Sequence, residues 1–167
     1  MLLERLDEGG RVNDIRLRDV SEADLPILFE HQRDADALRM AAFSGRDWPA
    51  FVEHWTRLLA DQAHPVRTIL CDGDVAGNIG TWSSGGKQLV GYWIGKPYWG
   101  RGIATKALRE FLAIVAVRPL YAYVARHNAG SIRVLEKCRF TVSVEDTESL
   151  PPPADGGEEV VLKLTEV

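Results

Sequence analysis

The first half of the chain alternates apolar and polar residues with a period of two, which is typical of half-buried strands. This alternation covers residues 12–18, 66–71, 75–82 and 88–94. Asp72-Gly73-Asp74, between the second and third of these segments, suits a tight hairpin turn. The pattern predicts three consecutive antiparallel strands, from residue 66 to residue 94, after a first strand near the N-terminus.

Helical spacing, with apolar residues at i, i+3, i+4 and i+7, occurs in three other segments. The first helix is predicted to begin at Ser21, or at Asp24 if Pro26 occupies its first turn. Residues 34–46 are ambiguous between a short helix and an irregular link. The second helix opens at Asp47 and the third after Gly102. The second carries the apolar stripe Trp48, Phe51, Val52, Trp55, Leu58 and Leu59. The third carries Ala104, Ala107, Leu108, Phe111, Leu112 and Val115.

The C-terminal part returns to short alternating segments separated by a helix. It predicts strands at 120–125 and 159–164, a helix at 128–138, and a loop at 147–157. A further strand is predicted at 140–144, with Phe140, Val142 and Val144 on one face. Hairpins followed by α–β crossovers predict an α/β fold with a mixed, mainly antiparallel sheet flanked by helices. We expect one domain over residues 1–167, with its core at about 12–164.

Composition narrows the function classes. The net charge of −4 argues against non-specific binding to nucleic acid or a membrane surface. Cys71 and Cys138 fall in predicted core elements, so we expect two buried free thiols. No apolar run approaches the ~20 residues of a membrane span, and the N-terminus is too charged for a signal peptide. We therefore expect a cytoplasmic protein. No His, Cys and Asp cluster has metal-ligand spacing, so no metal is predicted.

The segment Trp99-Gly100-Arg101-Gly102-Ile103-Ala104 joins the strand at 88–94 to the third helix. The first amides of a helix lack intrahelical partners and, with the helix dipole, favour an anion. Two glycines allow close approach of the backbone, and Thr105 adds a hydroxyl. We predict a cradle for phosphate or pyrophosphate, the alternative being a purely structural turn. The G-x-G-x-x-G fingerprint fails at Thr105, and the Walker G-K-[ST] is absent.

At these residues the chain resembles the GNAT superfamily of N-acetyltransferases, whose acetyl-CoA loop reads [Q/R]-x-x-G-x-[G/A]. Gly102 and Ala104 match this pattern, whereas Trp99 replaces the leading Gln or Arg. The pattern Y-W-G-[KR]-G-x-A-T-x-A-L of the Rim-type branch, the ribosomal-protein-alanine acetyltransferases and their relatives, matches residues 98–108 almost throughout. The resemblance implies a three-layer α/β/α sandwich and direct acetyl transfer from acetyl-CoA to a primary amine.

Residues 128–140 resemble a second family pattern, N-x-x-S-x-x-[VL]-x-E-K-x-G-F. The resemblance implies that Asn128 binds the pantetheine arm and that Ser131 protonates the leaving thiolate. Asn128 is equally suited to capping the helix, and Ser131 to bonding the backbone of its first turn. Arg139 stands where the family has a glycine that ends the helix in a left-handed conformation, so we expect either strain or a different helix end.

The resemblance also implies that backbone near Trp93 to Gly95 polarises the thioester carbonyl. The family's acid tyrosine is replaced by Leu135, and its glutamate on the feeding strand by Leu89. The general base stays open among Glu145, Asp146, His31 and His127. The complete set of predicted cofactor-binding residues is Trp93, Ile94, Trp99, Gly100, Arg101, Gly102, Ile103, Ala104, Thr105, Asn128 and Ser131.

The acceptor is either a protein or peptide N-terminus or a small amine, and the chain is either a monomer or a homodimer. The alternative function is a non-catalytic CoA-binding sensor or interaction module of the same fold.

Overall fold

Strands and helices follow one another in the order that the periodicity predicts. The computed structural model describes residues 13–150 and 157–166. Within these ranges the strands are β1 (Ile15–Arg18), β2 (Val66–Cys71), β3 (Asp74–Ser84), β4 (Lys87–Ile94), β5 (Leu120–Ala125), β6 (Thr141–Val142) and β7 (Glu159–Leu164). The helices are α1 (Leu25–Arg33), α2 (Ala35–Ala41), α3 (Trp48–Ala60), α4 (Ile103–Ile114), α5 (Ala129–Lys137) and α6 (Val144–Glu148).

The described strands form one sheet in the order β1-β2-β3-β4-β5-β7-β6. Every neighbouring pair is antiparallel except β4 and β5, which are parallel. This confirms the predicted mixed, mainly antiparallel sheet. The parallel pair arises because α4 connects the two strands. The helix carries the chain back to the end of the sheet where β4 begins, so β5 runs in the same direction as β4.

Helices cover both faces of the sheet, as a three-layer sandwich requires. On one face the apolar stripe of α4 packs with α5 in the main core, where Phe111, Leu108 and Leu135 are almost fully buried. On the other face, Leu28 of α1 and Phe51 of α3 belong to a second cluster over the N-terminal strands. The two free cysteines are buried, as predicted.

Three local predictions need correction. The predicted strand at 140–144 is reduced to Thr141–Val142, and Val142 and Val144 are exposed instead of sharing a buried face with Phe140. Ser143 instead caps α6, because its hydroxyl accepts from the Asp146 amide and donates to the Asp146 carboxylate. The loop expected from residue 147 therefore begins with the end of α6, and residues 151–156 lie outside the described residues.

The first strand is also shorter than predicted, since β1 begins at Ile15 and Val12 lies outside the described residues. The ambiguous stretch 34–46 contains α2, whose N-cap Asp34 accepts hydrogen bonds from the amides of Asp36 and Ala37. Asp24, the alternative start, is the residue that precedes α1. No helix in the described ranges has the length and apolar composition needed to cross a bilayer.

Arg139 adopts the left-handed conformation that the family's glycine would occupy, with φ = 71°. The Arg139 amide donates to the Glu136 carbonyl and the Phe140 amide to the Leu135 carbonyl, both at 3.0 Å. These two bonds form a Schellman motif. The helix therefore ends in the ordinary way, and the backbone strain of a non-glycine residue remains in the structure.

Replacing Arg139 by glycine should stabilise the protein, because it removes the cost of a left-handed non-glycine residue. We expect Arg139→Gly to raise the free energy of unfolding by about 1 kcal/mol in urea titrations. Arg133→Gly is the matched control on the same helix. It should lower the stability by about 1 kcal/mol, since glycine is unfavourable within a helix. Equal effects of the two substitutions would contradict the assignment of strain to Arg139.

Candidate active site

The strands β4 and β5 separate along most of their length. Leu89 and Tyr121 are the register pair between them, near the N-terminal ends of both strands. Beyond this pair β4 stays paired with β3 as far as Ile94, and β5 stays paired with β7 as far as Ala125. The facing edges of β4 and β5 thus diverge towards their C-terminal ends. We call the space between them the cleft.

The backbone of Ile94 faces the cleft. The Gly95 amide donates to the Ala76 carbonyl of β3 at 2.8 Å. Because successive residues of a strand direct their polar groups to opposite edges, the N–H and C=O of Ile94 face β5. In agreement, the Ile94 carbonyl accepts its 2.8 Å hydrogen bond from the Trp99 indole and not from an amide of β3. The backbone N–H expected near Trp93 to Gly95 to polarise the thioester carbonyl is therefore best assigned to Ile94. The Gly95 amide is not available, because it donates to the Ala76 carbonyl.

The glycine loop follows β4 through a 3₁₀ turn at Lys96–Tyr98. Gly100 and Gly102 have φ values of 76° and 75°, and Gly102 is the N-cap of α4. A Cβ at either glycine would meet no heavy atom within 4 Å. These glycines are therefore required for backbone conformation, while the space above them is open. The first amides of α4 have no intrahelical partner, because the first intrahelical bond runs from the Lys106 amide to the Gly102 carbonyl.

Some of the predicted loop residues are buried and anchor α4, and others are exposed to solvent. Ile103 is buried in the main core and anchors the start of α4, whereas Ala104 and Thr105 are half-buried in the first turn. The Arg101 guanidinium is exposed and lies 5.7 Å from the centre of the Tyr98 ring. Trp93 lies on the opposite face of β4 from the main core. Its indole donates to the His31 carbonyl at 3.2 Å, so its side chain positions α1.

Asn128 and Ser131 border the cleft on the side of β5. The Asn128 side-chain oxygen accepts a 3.1 Å hydrogen bond from the Ser131 amide, so Asn128 caps α5 through its oxygen. The Asn128 amide nitrogen makes no hydrogen bond within the described part of the chain. The Ser131 hydroxyl does not bond the backbone of its own turn. It shares a 2.7 Å hydrogen bond with the Tyr92 hydroxyl of β4.

Tyr92 is the site residue that the sequence analysis missed. Burial raises the pKa of Tyr92 to about 12, and the hydrogen bond with Ser131 opposes this only in part. The phenol therefore stays protonated at neutral pH. The Tyr92 side chain lies on the face of α4 and α5, but its contact with Ser131 depends on packing between residues distant in the chain.

A cavity of about 570 Å³ opens at the C-terminal end of the cleft. Its lining is Asp36, Arg39, Met40, Trp99 and His127. The helix α2 contacts both sides of this end of the cleft. On the side of β4, Asp36 of α2 pairs with Lys96, which follows the strand. On the other side, His127 after β5 donates from Nε2 to the Arg39 carbonyl at 2.7 Å.

The positions that hold catalytic side chains in the resembled family are core positions here. Leu89 is fully buried and Leu135 is 1% exposed. Asp146 lies 3.5 Å from Lys87, at the beginning of β4, and its hydrogen bond from Ser143 lowers its pKa. Glu145 is exposed on α6. The described residues contain no group of three side chains that could hold a metal ion.

Residues 14–141 match the family described as Acetyltransferase (GNAT) domain. The chain belongs to the GNAT acetyltransferase family. Membership of this family makes it an N-acetyltransferase. No curated protein sequence matches this GNAT protein.

Solved structures share the fold. A spermidine N-acetyltransferase from Vibrio cholerae, in complex with CoA and spermine, has a TM-score of 0.75 and 14% identity, over 90% of this chain and 95% of that one. An aminoglycoside acetyltransferase in complex with coenzyme A and kanamycin gives 0.74 and 17%, over 92% and 95%. RimL, a ribosomal-protein α-N-acetyltransferase in complex with coenzyme A, gives 0.69 and 20%, over 90% and 93%. Identities this low establish the fold alone.

The position of α1 beside β4 depends on a buried carboxylate. Asp24, which precedes α1 and is 3% exposed, accepts hydrogen bonds from Arg18, the Ser21 amide and Thr68. Burial opposes ionisation, but the hydrogen bonds from Arg18, Ser21 and Thr68 outweigh it and lower the pKa of Asp24 to about 2. The start of α1 is thereby tied to β1 and β2.

Asp24→Asn should destabilise this GNAT protein in a pH-dependent way. An unfolded aspartate has a pKa of about 3.9. The lower folded value therefore adds stability that is present above this pH and is lost as pH falls towards 2. We expect a loss of about 2 to 3 kcal/mol at pH 7, with the two proteins converging below pH 4. Urea titrations across pH measure this. Asp14→Asn, at an exposed ion pair with Arg16, should change stability by less than about 0.5 kcal/mol.

Proposed function

We propose that this GNAT protein transfers the acetyl group of acetyl-CoA directly to a primary amine. The observation that carries the proposal is the cleft, where one strand edge directs the Ile94 amide at a space that opens onto the N-terminus of α4. The pantetheine arm occupies the cleft, and the pyrophosphate binds the amides from Gly100 to Thr105. Helix N-termini favour anions for this purpose.

The cleft fits the chemistry of a thioester. The Ile94 amide donates to the thioester carbonyl and stabilises the negative charge that develops on its oxygen. The amine nitrogen bonds to the carbonyl carbon, and the bond from this carbon to sulfur breaks. Neither cysteine is suited to form an acyl-enzyme, because Cys71 and Cys138 are both buried and burial raises the pKa of each thiol.

The leaving thiolate takes a proton from the Ser131–Tyr92 pair. Ser131 donates to sulfur and Tyr92, whose phenol is protonated at neutral pH, donates to Ser131. This arrangement supplies the acid that Leu135 does not. A thiolate leaves readily near neutral pH, so the acid accelerates the reaction modestly.

The acceptor that we propose is a peptide N-terminus or a small primary amine. The resemblance of residues 98–108 to the Rim-type branch supports the first class. The second is supported by structural neighbours that bind spermine and kanamycin. The cavity beneath α2 is open enough for either class, and Met40 and Trp99 give it an apolar wall.

The first experiment measures thiol release from acetyl-CoA with N-terminal Ala and Ser peptides, polyamines, amino acids and aminoglycosides. We expect turnover with one of these classes. Gly102→Glu should weaken CoA binding in calorimetry by roughly 100-fold, because like charges about 5 Å apart repel by about 3 kcal/mol at an effective dielectric constant near 20.

The matched control is Gly86→Glu in the turn between β3 and β4. Gly86 also has φ = 76°, and a Cβ at this position would meet no heavy atom within 4 Å, so its backbone strain and added charge are the same. We expect its CoA affinity to equal that of the native protein. Native protein that binds no CoA would refute the proposal. Tight CoA binding without turnover would indicate the CoA-binding module instead.

Tyr92→Phe and Ser131→Ala should each lower kcat by about 10-fold. This is less than the roughly 100-fold at the low end of general acid catalysis, because a thiolate leaves readily without an acid. The KM for acetyl-CoA should change less than twofold. The double variant should be no slower than either single variant, because the two hydroxyls act as one unit. Tyr123→Phe, on the opposite face of β5, is the control and should leave kcat unchanged. Additive losses in the double variant would show that the hydroxyls act separately.

A further inference from the structure

The imidazole of His31 lies against the end of the strand that borders the cleft. His31 belongs to the last turn of α1, and a Cβ built on Gly95 would lie 2.6 Å from both Nε2 and Cδ2 of its ring. Only a glycine at position 95 leaves room for this ring. The Trp93 indole holds the His31 carbonyl from the same strand at 3.2 Å. The ring is therefore next to Ile94, whose amide faces the cleft.

One nitrogen of His31 is left without a partner. Nδ1 is shielded from solvent and makes no hydrogen bond to any described residue. A buried polar atom without a partner is costly, so such an atom at a site calls for a ligand, a water or a proton-transfer role. Neither nitrogen of the ring is used to hold the fold, since the hydrogen bond to Trp93 is made by the backbone carbonyl.

The charges around His31 are already paired with one another. On its own helix Glu30 pairs with Arg33, and Lys96, after Gly95, pairs with Asp34 and Asp36 of α2. Tyr98 is the titratable side chain that faces the ring, at 6.3 Å between centres. Burial lowers the pKa of His31. The imidazole is therefore neutral at pH 7 and has a free lone pair.

The other candidates for a base do not contact the C-terminal end of β4. Glu145 is exposed on α6. His127 follows β5 instead of β4, and its Nε2 donates to the Arg39 carbonyl. Asp146 is held by Ser143, Lys87 and Lys163, near the opposite end of β4. Leu89, where relatives in the family place a glutamate, carries no ionisable group. Of the candidates named from the sequence, His31 is the one whose ring contacts the C-terminal end of β4, and its Nδ1 has no partner among the described residues.

We propose that His31 is the general base that removes the proton from the acceptor amine. This inference rests on the proposed acetyl transfer. As the nitrogen bonds to the acetyl carbon, its proton passes to His31 directly or through one water. The carbon–sulfur bond then breaks and the Ser131–Tyr92 pair supplies a proton to sulfur. The imidazolium releases its proton to solvent, and the Ser131–Tyr92 pair takes one back from solvent. The amine loses one proton and the thiolate gains one, so the exchange balances.

The test is a pH–rate profile of kcat/KM with the amine found by the thiol-release panel. The native protein should show an acidic limb with an inflection below pH 6.5, which disappears in His31→Gln together with a fall of about 100-fold in kcat. Acetyl-CoA affinity should stay within twofold. Added imidazole should restore activity to His31→Ala but not to Tyr92→Phe. His64→Gln, at a surface histidine bonded to Asp61 and Ser83, should retain the native profile.

A second readout does not depend on the variants. The ring nitrogens of His31 in the native protein, followed by NMR across pH, should titrate at the same pH as the acidic limb. A retained limb in His31→Gln, or an NMR titration that differs from the kinetic inflection, would overturn the role of His31 and leave acetyl transfer intact. Failure of the native protein to bind CoA would overturn the proposed function, and the assignment of His31 with it.

Discussion

The separation of β4 from β5 is the constraint on which the rest of the site depends. Parallel strands normally satisfy their backbone groups by a continuous ladder, and unpaired buried peptide groups are costly. Here β4 and β5 each keep a full ladder on the outer side. They can therefore diverge beyond Leu89 and Tyr121 without losing the sheet. The cost is confined to the two facing edges, between which we propose that acetyl-CoA binds.

Successive side chains of β4 point to opposite faces of the sheet, so the strand contacts helices on both faces. Tyr92 and Ile94 direct their side chains to α4 and α5, where Tyr92 meets Ser131. Trp93 directs its side chain to the other face and holds α1, so that His31 reaches Gly95. In the mechanism that we propose, these three successive residues contribute a proton donor, a support for the base and a backbone amide. The Asp24 network ties the start of α1 to β1 and β2, so the same helix is fixed at both ends.

Local patterns in the sequence carried most of the fold. The strands at 66–71, 120–125 and 159–164 have the predicted bounds, because alternation and turn residues are local signals. The strand predicted at 140–144 is shorter in the structure, because Ser143 caps α6 and the chain becomes helical there despite the alternation of three apolar residues. Tyr92 and Ser131 are 39 positions apart. Such a contact depends on how α5 packs on β4, and no periodicity reports that.

In the mechanism that we propose, the two catalytic roles that the family pattern leaves empty are filled from neighbouring elements. Leu135 occupies the core where relatives have a tyrosine on α5, and the hydroxyl of Tyr92 reaches the same serine from β4. Leu89 occupies the core where relatives have a glutamate on β4, and His31 approaches the end of that strand from α1. A fold fixes where proton donors and acceptors are needed and leaves open which element supplies them. With leucines at both family positions, the acid and the base that we propose belong to β4 itself and to the helix packed against its end.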